Sequence, residues 1–143
     1  MLTEQDYCDY ETCVALRELG YNKPSIAFYP CQDIIVDCID SNGELYEAEY
    51  YKGNLALYSS LNNKNHDINK VQAPLLYEAQ KWLREGKDIH IEIPIWLTDN
   101  GVWKYNFRLQ TREFYDRAIG EWDTYEEALS EGIKEAIKIL KEK

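Results

Sequence analysis

The chain has 143 residues, 45% of them hydrophobic and 13% aromatic, with twelve Tyr and four Trp. A chain of that length buries roughly 70% of the surface it would expose unfolded, so a single domain over residues 1–143 is the expectation. The formal net charge of −10, from 26 acidic and 16 basic residues, argues against non-specific nucleic-acid binding, which needs clustered Lys and Arg to displace phosphate counterions, and against docking on anionic lipid.

The first ten residues are acidic and lack the basic and apolar regions of a signal peptide. No apolar run reaches the length of a membrane span, and the expectation is a cytoplasmic protein. Asp9 reads as an N-cap for a helix from about Tyr10 to Leu19, with Tyr10, Cys13, Val14 and Arg17 at helical spacing. Gly20 stands where a left-handed residue closes such a helix. A short strand over Ser25–Tyr29 is broken by Pro30. Asp33–Ile39 is rich in β-branched residues, which suit a pleated surface. Asp40-Ser41-Asn42-Gly43 is a hairpin turn, and Glu44–Tyr51 returns as its partner strand with neither face cleanly apolar. Asn54–Ser59 reads as a further strand, and Ser60–Lys70 as a polar surface loop.

Ala73-Pro74 opens a second helix, whose stripe of Leu75, Leu76, Ala79, Trp82 and Leu83 ends at Gly86. Ile89, Ile91, Ile93 and Ile95 then occupy every second position, the signature of a strand with one buried face. His90, Glu92 and Pro94 alternate with them, and Pro94 places the strand at an edge or a bulge. Beyond the Asp99-Asn100-Gly101 turn, Val102–Gln110 carries Trp103, Tyr105, Phe107 and Leu109 on one face, and Thr111–Ile119 reads as one more strand. Thr124 and Glu127 form a capping-box pattern before a helix whose apolar positions run from Tyr125 through Ala128, Leu129, Gly132, Ile133, Ala136 and Ile137 to Leu140. Its glutamates come first and its lysines last, which complements the helix dipole. The order of elements predicts an α+β fold, a largely antiparallel sheet of about five to seven strands with three helices packed on it.

The cysteines, Cys8, Cys13, Cys31 and Cys38, form no Cys-x-x-Cys pair. They are expected as small buried thiols rather than as a zinc site or a disulfide framework, and no cofactor is expected. The segments Asp9–Tyr21, Ala73–Ile93 and Thr124–Ala136, taken together, resemble a widespread group of small uncharacterised proteins from gut Bacteroidetes and their phages and prophages. The resemblance implies a phage or mobile-element setting. The shared positions are caps, apolar stripes and helix ends, so no catalytic residue carries over.

No Gly-x-Ser-x-Gly elbow, phosphate-binding glycine loop or His-Glu-x-x-His helix is present. Of the two histidines, His66 lies in the polar loop beside Asp67 and reads as solvated. His90 shares the wet face of its strand with Glu92, and such a pair can act as general base and orienting group or stand simply as an exposed polar pair. The stretch holding Trp103, Tyr105, Arg108, Arg112, Tyr115 and Arg117 interleaves arginines with aromatics. It can stack and grip a nucleotide or phosphorylated ligand, or place its aromatics in the core and its arginines against carboxylates. These readings give, in order, a non-enzymatic interaction module of phage or mobile-element type acting on a host protein, a phage counter-defence protein that sequesters a small nucleotide, and a small hydrolase using His90 and Glu92. An exposed hairpin edge also makes a homodimer an expectation to test.

Overall fold

In a computed structural model of the chain, residues 2–58, 69–118 and 120–142 are described. They form a mixed α+β structure with three α-helices and ten short strands, all paired antiparallel. They fall into two compact units, Asp9–Pro74 on one hand, and Met1–Cys8 with Leu75–Lys143 on the other.

In the unit Asp9–Pro74, helix α1 spans Tyr10–Glu18. The Asp9 carboxylate accepts from the Thr12 N–H at 2.8 Å, as its N-cap position predicts. Gly20, at φ +103°, turns the chain so that the Tyr21 N–H reaches the Leu16 carbonyl. Strand β1 (Ala27–Pro30) lies between β4 (Ala56–Leu57) and β5 (Lys70–Gln72). Pro30 is the last rung of β1, opposite Lys70, rather than a breaker beyond it. Strand β5 is absent from the sequence reading, because three residues carry no periodicity and only pairing with β1 defines them. The polar loop expected from Ser60 onward, His66 included, lies outside the described residues up to position 68.

Strands β2 (Ile34–Ile39) and β3 (Leu45–Tyr50) form a six-rung hairpin. The Asp40 carboxylate accepts from the amides of Asn42 and Glu44 at 2.8 and 2.9 Å, and Gly43 supplies the positive φ that this turn requires. Phe28 and Tyr50 centre the core of this unit, with Ile34, Ala48, Ala56 and Tyr58 packed against them.

In the other unit, helix α2 (Leu76–Lys87) precedes β6 (His90–Glu92), β7 (Ile95–Leu97), β8 (Trp103–Tyr105), β9 (Arg108–Gln110) and β10 (Tyr115–Arg117), and helix α3 (Tyr125–Lys141) follows. The strands pair as β10–β9–β6 and as a separate β7–β8 hairpin. A single sheet of five to seven strands is therefore not what forms. Among the described residues the ten strands divide into four sheets of three, three, two and two.

The physical reason is local. Pro94 has no N–H to continue a ladder, and the opposing ladder breaks at Asn106, whose amide donates to the Pro94 carbonyl. Asn106 is buried and its side chain donates to the Ala118 carbonyl at 3.1 Å while accepting from the Phe107 amide at 2.6 Å. Past this break the isoleucine alternation stops predicting burial: Ile89 and Ile91 are buried, whereas Ile95 is 53% exposed.

Helix α3 packs on β6, β9 and α2, burying Ala128, Leu129, Gly132, Ile133, Ala136 and Ile137. Thr124 caps it, its hydroxyl accepting from the Glu127 N–H at 3.1 Å. Gly132 is the point of closest approach. A Cβ built there would lie 2.9 Å from Ile91 Cγ2 and 3.3 Å from two atoms of Phe107.

Two glycine substitutions separate packing from propensity. Alanine in a helix interior is favoured over glycine by about 1 kcal/mol. At Gly86 in α2 the nearest atom to a new Cβ is the flexible indole of Trp82, at 4.0 Å, so Gly86→Ala should raise the Tm. At Gly132 an overpacking cost of about 1–3 kcal/mol opposes the same gain, so Gly132→Ala should lower the Tm. Thermal unfolding by circular dichroism reads both. A Gly132→Ala protein as stable as Gly86→Ala would show that α3 does not sit this close to β6. Thr124→Ala should cost about 1 kcal/mol in the same assay.

Candidate functional site

The three strands β6, β9 and β10 are in a register that sorts their side chains by face. His90 stands opposite Gln110, and Gln110 opposite Tyr115; Glu92 stands opposite Arg108, and Arg108 opposite Arg117. Directly opposed residues share a face. The intervening rung of Ile91 and Leu109 is buried. His90, Glu92, Gln110 and Tyr115 are exposed and Arg108 is half-buried. The pairing expected of His90 and Glu92 on a wet strand face is thus observed, and it extends across three strands into a polar platform.

Contacts within the platform join opposite charges and dipoles. Arg108 Nη1 donates to the Tyr115 hydroxyl at 2.9 Å. That hydrogen bond, first among the causes, and the nearby Glu92 carboxylate raise the Arg108 guanidinium above its already high ordinary pKa. Arg112, on the turn between β9 and β10, donates from Nε to Asp88 Oδ2 at 2.5 Å. His90 Nε2 lies 3.6 Å from the other oxygen of the same carboxylate. Asp88, His90, Glu92, Gln110, Thr111 and Arg112 line a shallow depression of about 310 Å³.

Asp88 organises this corner. It follows the last residue of α2 in the left-handed region, at φ 57° and ψ 37°, with its N–H returning to the Leu83 carbonyl. Among the described residues it is the one non-glycine at positive φ. Glycine is the usual occupant of such a cap, and Asp tolerates it better than most side chains. The sequence suggested that the helix ends at Gly86; α2 instead runs on through Lys87. That extension puts a carboxylate where sequence reasoning looked for none. The one available signal was the position of Asp88 directly before the isoleucine strand, a place where a helix must already have turned.

The aromatic–basic stretch does not assemble as a unit. Arg108 and Tyr115 meet on the platform and Arg112 joins it at the turn, while of Arg117 only its strand register opposite Arg108 is described. Trp103 and Tyr105 belong to β8, in the separate β7–β8 hairpin. Trp103 is 53% exposed. Tyr105 packs edge-on against the Tyr125 ring at 6.4 Å between centroids and exchanges two backbone hydrogen bonds with Trp122. Lys104, beside them, is paired with Asp123, and the hydrogen bond to that carboxylate raises its pKa. A second, larger cleft of about 520 Å³ lies between β9, β10 and α3, floored by Phe107, Leu109, Ala118 and Trp122.

The depression brings together carboxylates, an imidazole, an amide and a guanidinium. It can exchange hydrogen bonds and ion pairs with a polar ligand. Asp88 is positioned to orient His90, as acid–base chemistry would need. Thr111 contributes a hydroxyl, but its oxygen accepts from the amides of Glu113 and Phe114 and so closes the β9–β10 turn. No group of three or more His, Cys, Asp or Glu suited to hold a metal ion occurs among the described residues, and no helix among them is long and apolar enough to cross a membrane. Compared with known proteins, the chain matches no family model, no curated protein and no solved structure.

The Arg112 hydrogen bond is the leading cause that holds the Asp88 carboxyl below its ordinary value of 3.8. A lowered carboxyl pKa contributes stability that is complete above pH 3.8 and is lost as the pH falls through the lower folded value. Carboxyl-detected NMR should therefore place the Asp88 midpoint below 3.8, and Arg112→Ala should bring it back up towards that value. A midpoint indifferent to Arg112→Ala would mean that the pair does not persist in solution.

Proposed function

We propose that the chain is a non-enzymatic interaction module that reads a polar partner surface with the open face of β6, β9 and β10. One observation carries this reading. Polar side chains of both charge signs stand on the open side of a sheet whose other side packs against α3, and they pair laterally rather than converging on an enclosed pocket. Such a platform suits recognition between proteins, where complementary charges set register and on-rate. An enclosed small-molecule site would bury most of its ligand, and a depression of about 310 Å³ on an exposed face does not. Arg108 adds support: its Nε is buried without a hydrogen bond among the described residues, a cost that stability alone gives no reason to bear.

The partner we infer is a host protein met in a phage or mobile-element setting. The resemblance carried by the outer helices and the middle helix–strand unit supports that setting. A charge-swapped platform tests the reading. Affinity capture from host lysate with the native chain and with Glu92→Lys/Arg108→Glu should recover a protein that only the native chain retains, both baits having equal Tm. Recovery of the same proteins by both would remove the platform from consideration.

A small nucleotide-like ligand is the second reading, favoured by the Arg112 guanidinium at the rim of the depression beside Gln110 and Thr111. A specific ligand raises the Tm by mass action. In a thermal-shift panel of nucleotides, at least one should stabilise the native chain and fail to stabilise Arg112→Ala. A flat panel eliminates this version and leaves the first intact.

A further inference from the structure

The β2–β3 hairpin presents a second surface, independent of the platform. Successive side chains of a strand point to opposite faces, so the six rungs sort into two sets of three. The Ile34↔Tyr50 rung and Ala48 belong to the inner set, and Ile34, Ala48 and Tyr50 pack with Phe28. The outer set is Ile35↔Glu49, Asp37↔Glu47 and Ile39↔Leu45. All six outer residues are exposed, with Ile35 at 61%, Ile39 at 46% and Leu45 at 77%.

The pattern on this face is specific. Ile35 stands at one end and Ile39 with Leu45 at the other, while Asp37 and Glu47 fill the middle rung and Glu49 stands opposite Ile35. Asp37 and Glu47 are directly opposite each other, an arrangement that opposes pairing because like charges face across the rung. Glu49, on the adjacent outer rung, is engaged by the Tyr51 hydroxyl, which donates to it. Large apolar residues grouped on an exposed face mark interaction sites, and a face that also sets two carboxylates together is complemented by cations.

We propose that this outer face docks a cationic amphipathic helix of another protein, with Lys or Arg at the centre of its apolar stripe. Three arguments select this occupant. Sheet faces are covered by helices or by other sheets. Outer rungs recur about every 6.8 Å along a strand, close to the roughly 6 Å between helix positions four apart, so an apolar–basic–apolar stripe matches the three rungs in order. A second copy of this chain, seated face to face, would bring Asp37, Glu47 and Glu49 against their own counterparts, which disfavours a homodimer built here.

The probe is a blocked helical peptide of about 16 residues, with Leu at the ends of one stripe, Lys at its centre and Ala elsewhere. One control peptide carries Glu in place of Lys, and another Ser in place of Leu. Amide chemical-shift mapping of the native chain should concentrate the changes at residues 34–50 for the Leu–Lys peptide and not for either control. Affinity should fall roughly tenfold in Asp37→Asn/Glu47→Gln and again in Ile35→Ser/Leu45→Ser, and should weaken as ionic strength rises. Unliganded Asp37→Asn/Glu47→Gln should have a Tm no lower than the native chain, because it removes a like-charge rung, so its weaker binding cannot be put down to unfolding. The proposal is overturned by shifts mapping outside the hairpin, by equal binding of the Glu peptide, or by a sedimenting dimer that Leu45→Arg disperses.

Discussion

The approach of α3 to β6 and β9 at Gly132 decides which side of that sheet meets water. A Cβ at position 132 would sit 2.9 Å from Ile91, so the helix can lie this near only with hydrogen there. Ile91 and Leu109 are thereby buried, and the pleat sends His90, Glu92, Arg108, Gln110 and Tyr115 to the other side. The platform is thus a consequence of helix packing on the opposite face. A residue with no side chain fixes where the charged ones are displayed.

Electrostatics on that platform run against the overall acidity of the chain. In a chain of net charge −10, the arginines interleaved with aromatics read as a stretch able to grip a phosphorylated ligand. The structure puts Glu92 opposite Arg108 and Asp88 against Arg112. These two guanidinium groups each have an anionic neighbour, so this part of the surface offers both signs rather than one. Exposed pairs of this kind contribute little to stability. In the function proposed above, their effect is to discriminate between partners, since a wrong partner meets like charge.

Signals that act within one turn or one strand were legible in the sequence. The caps at Asp9 and Thr124, the left-handed Gly20, the turn at Asn42-Gly43 and the wet placement of His90 and Glu92 each rest on a few neighbouring residues. What depends on pairing between distant segments was not. Nothing local reveals that Lys70–Gln72 joins β1, or that the ladders break at Pro94 and Asn106 together. That double break separates Trp103 and Tyr105 from Arg108, although all three fall within the alternating run Val102–Gln110. Asp88 was missed for a related reason. Gly86 is the stronger local stop signal, and only the packing that carries α2 on through Lys87 moves the cap two positions along.

Strands β2 and β3 pair only with each other among the described residues, so each leaves one edge of backbone N–H and C=O groups open. Such an edge, lined with Ile and Leu, is a ready template for stacking further chains into a fibre. Asp37, Glu47 and Glu49 interrupt that template, since every added ribbon would lay carboxylates on carboxylates. On the docking proposed above, the acidic residues that select a cationic partner double as gatekeepers against cross-β growth, and neutralising them would remove both effects at once.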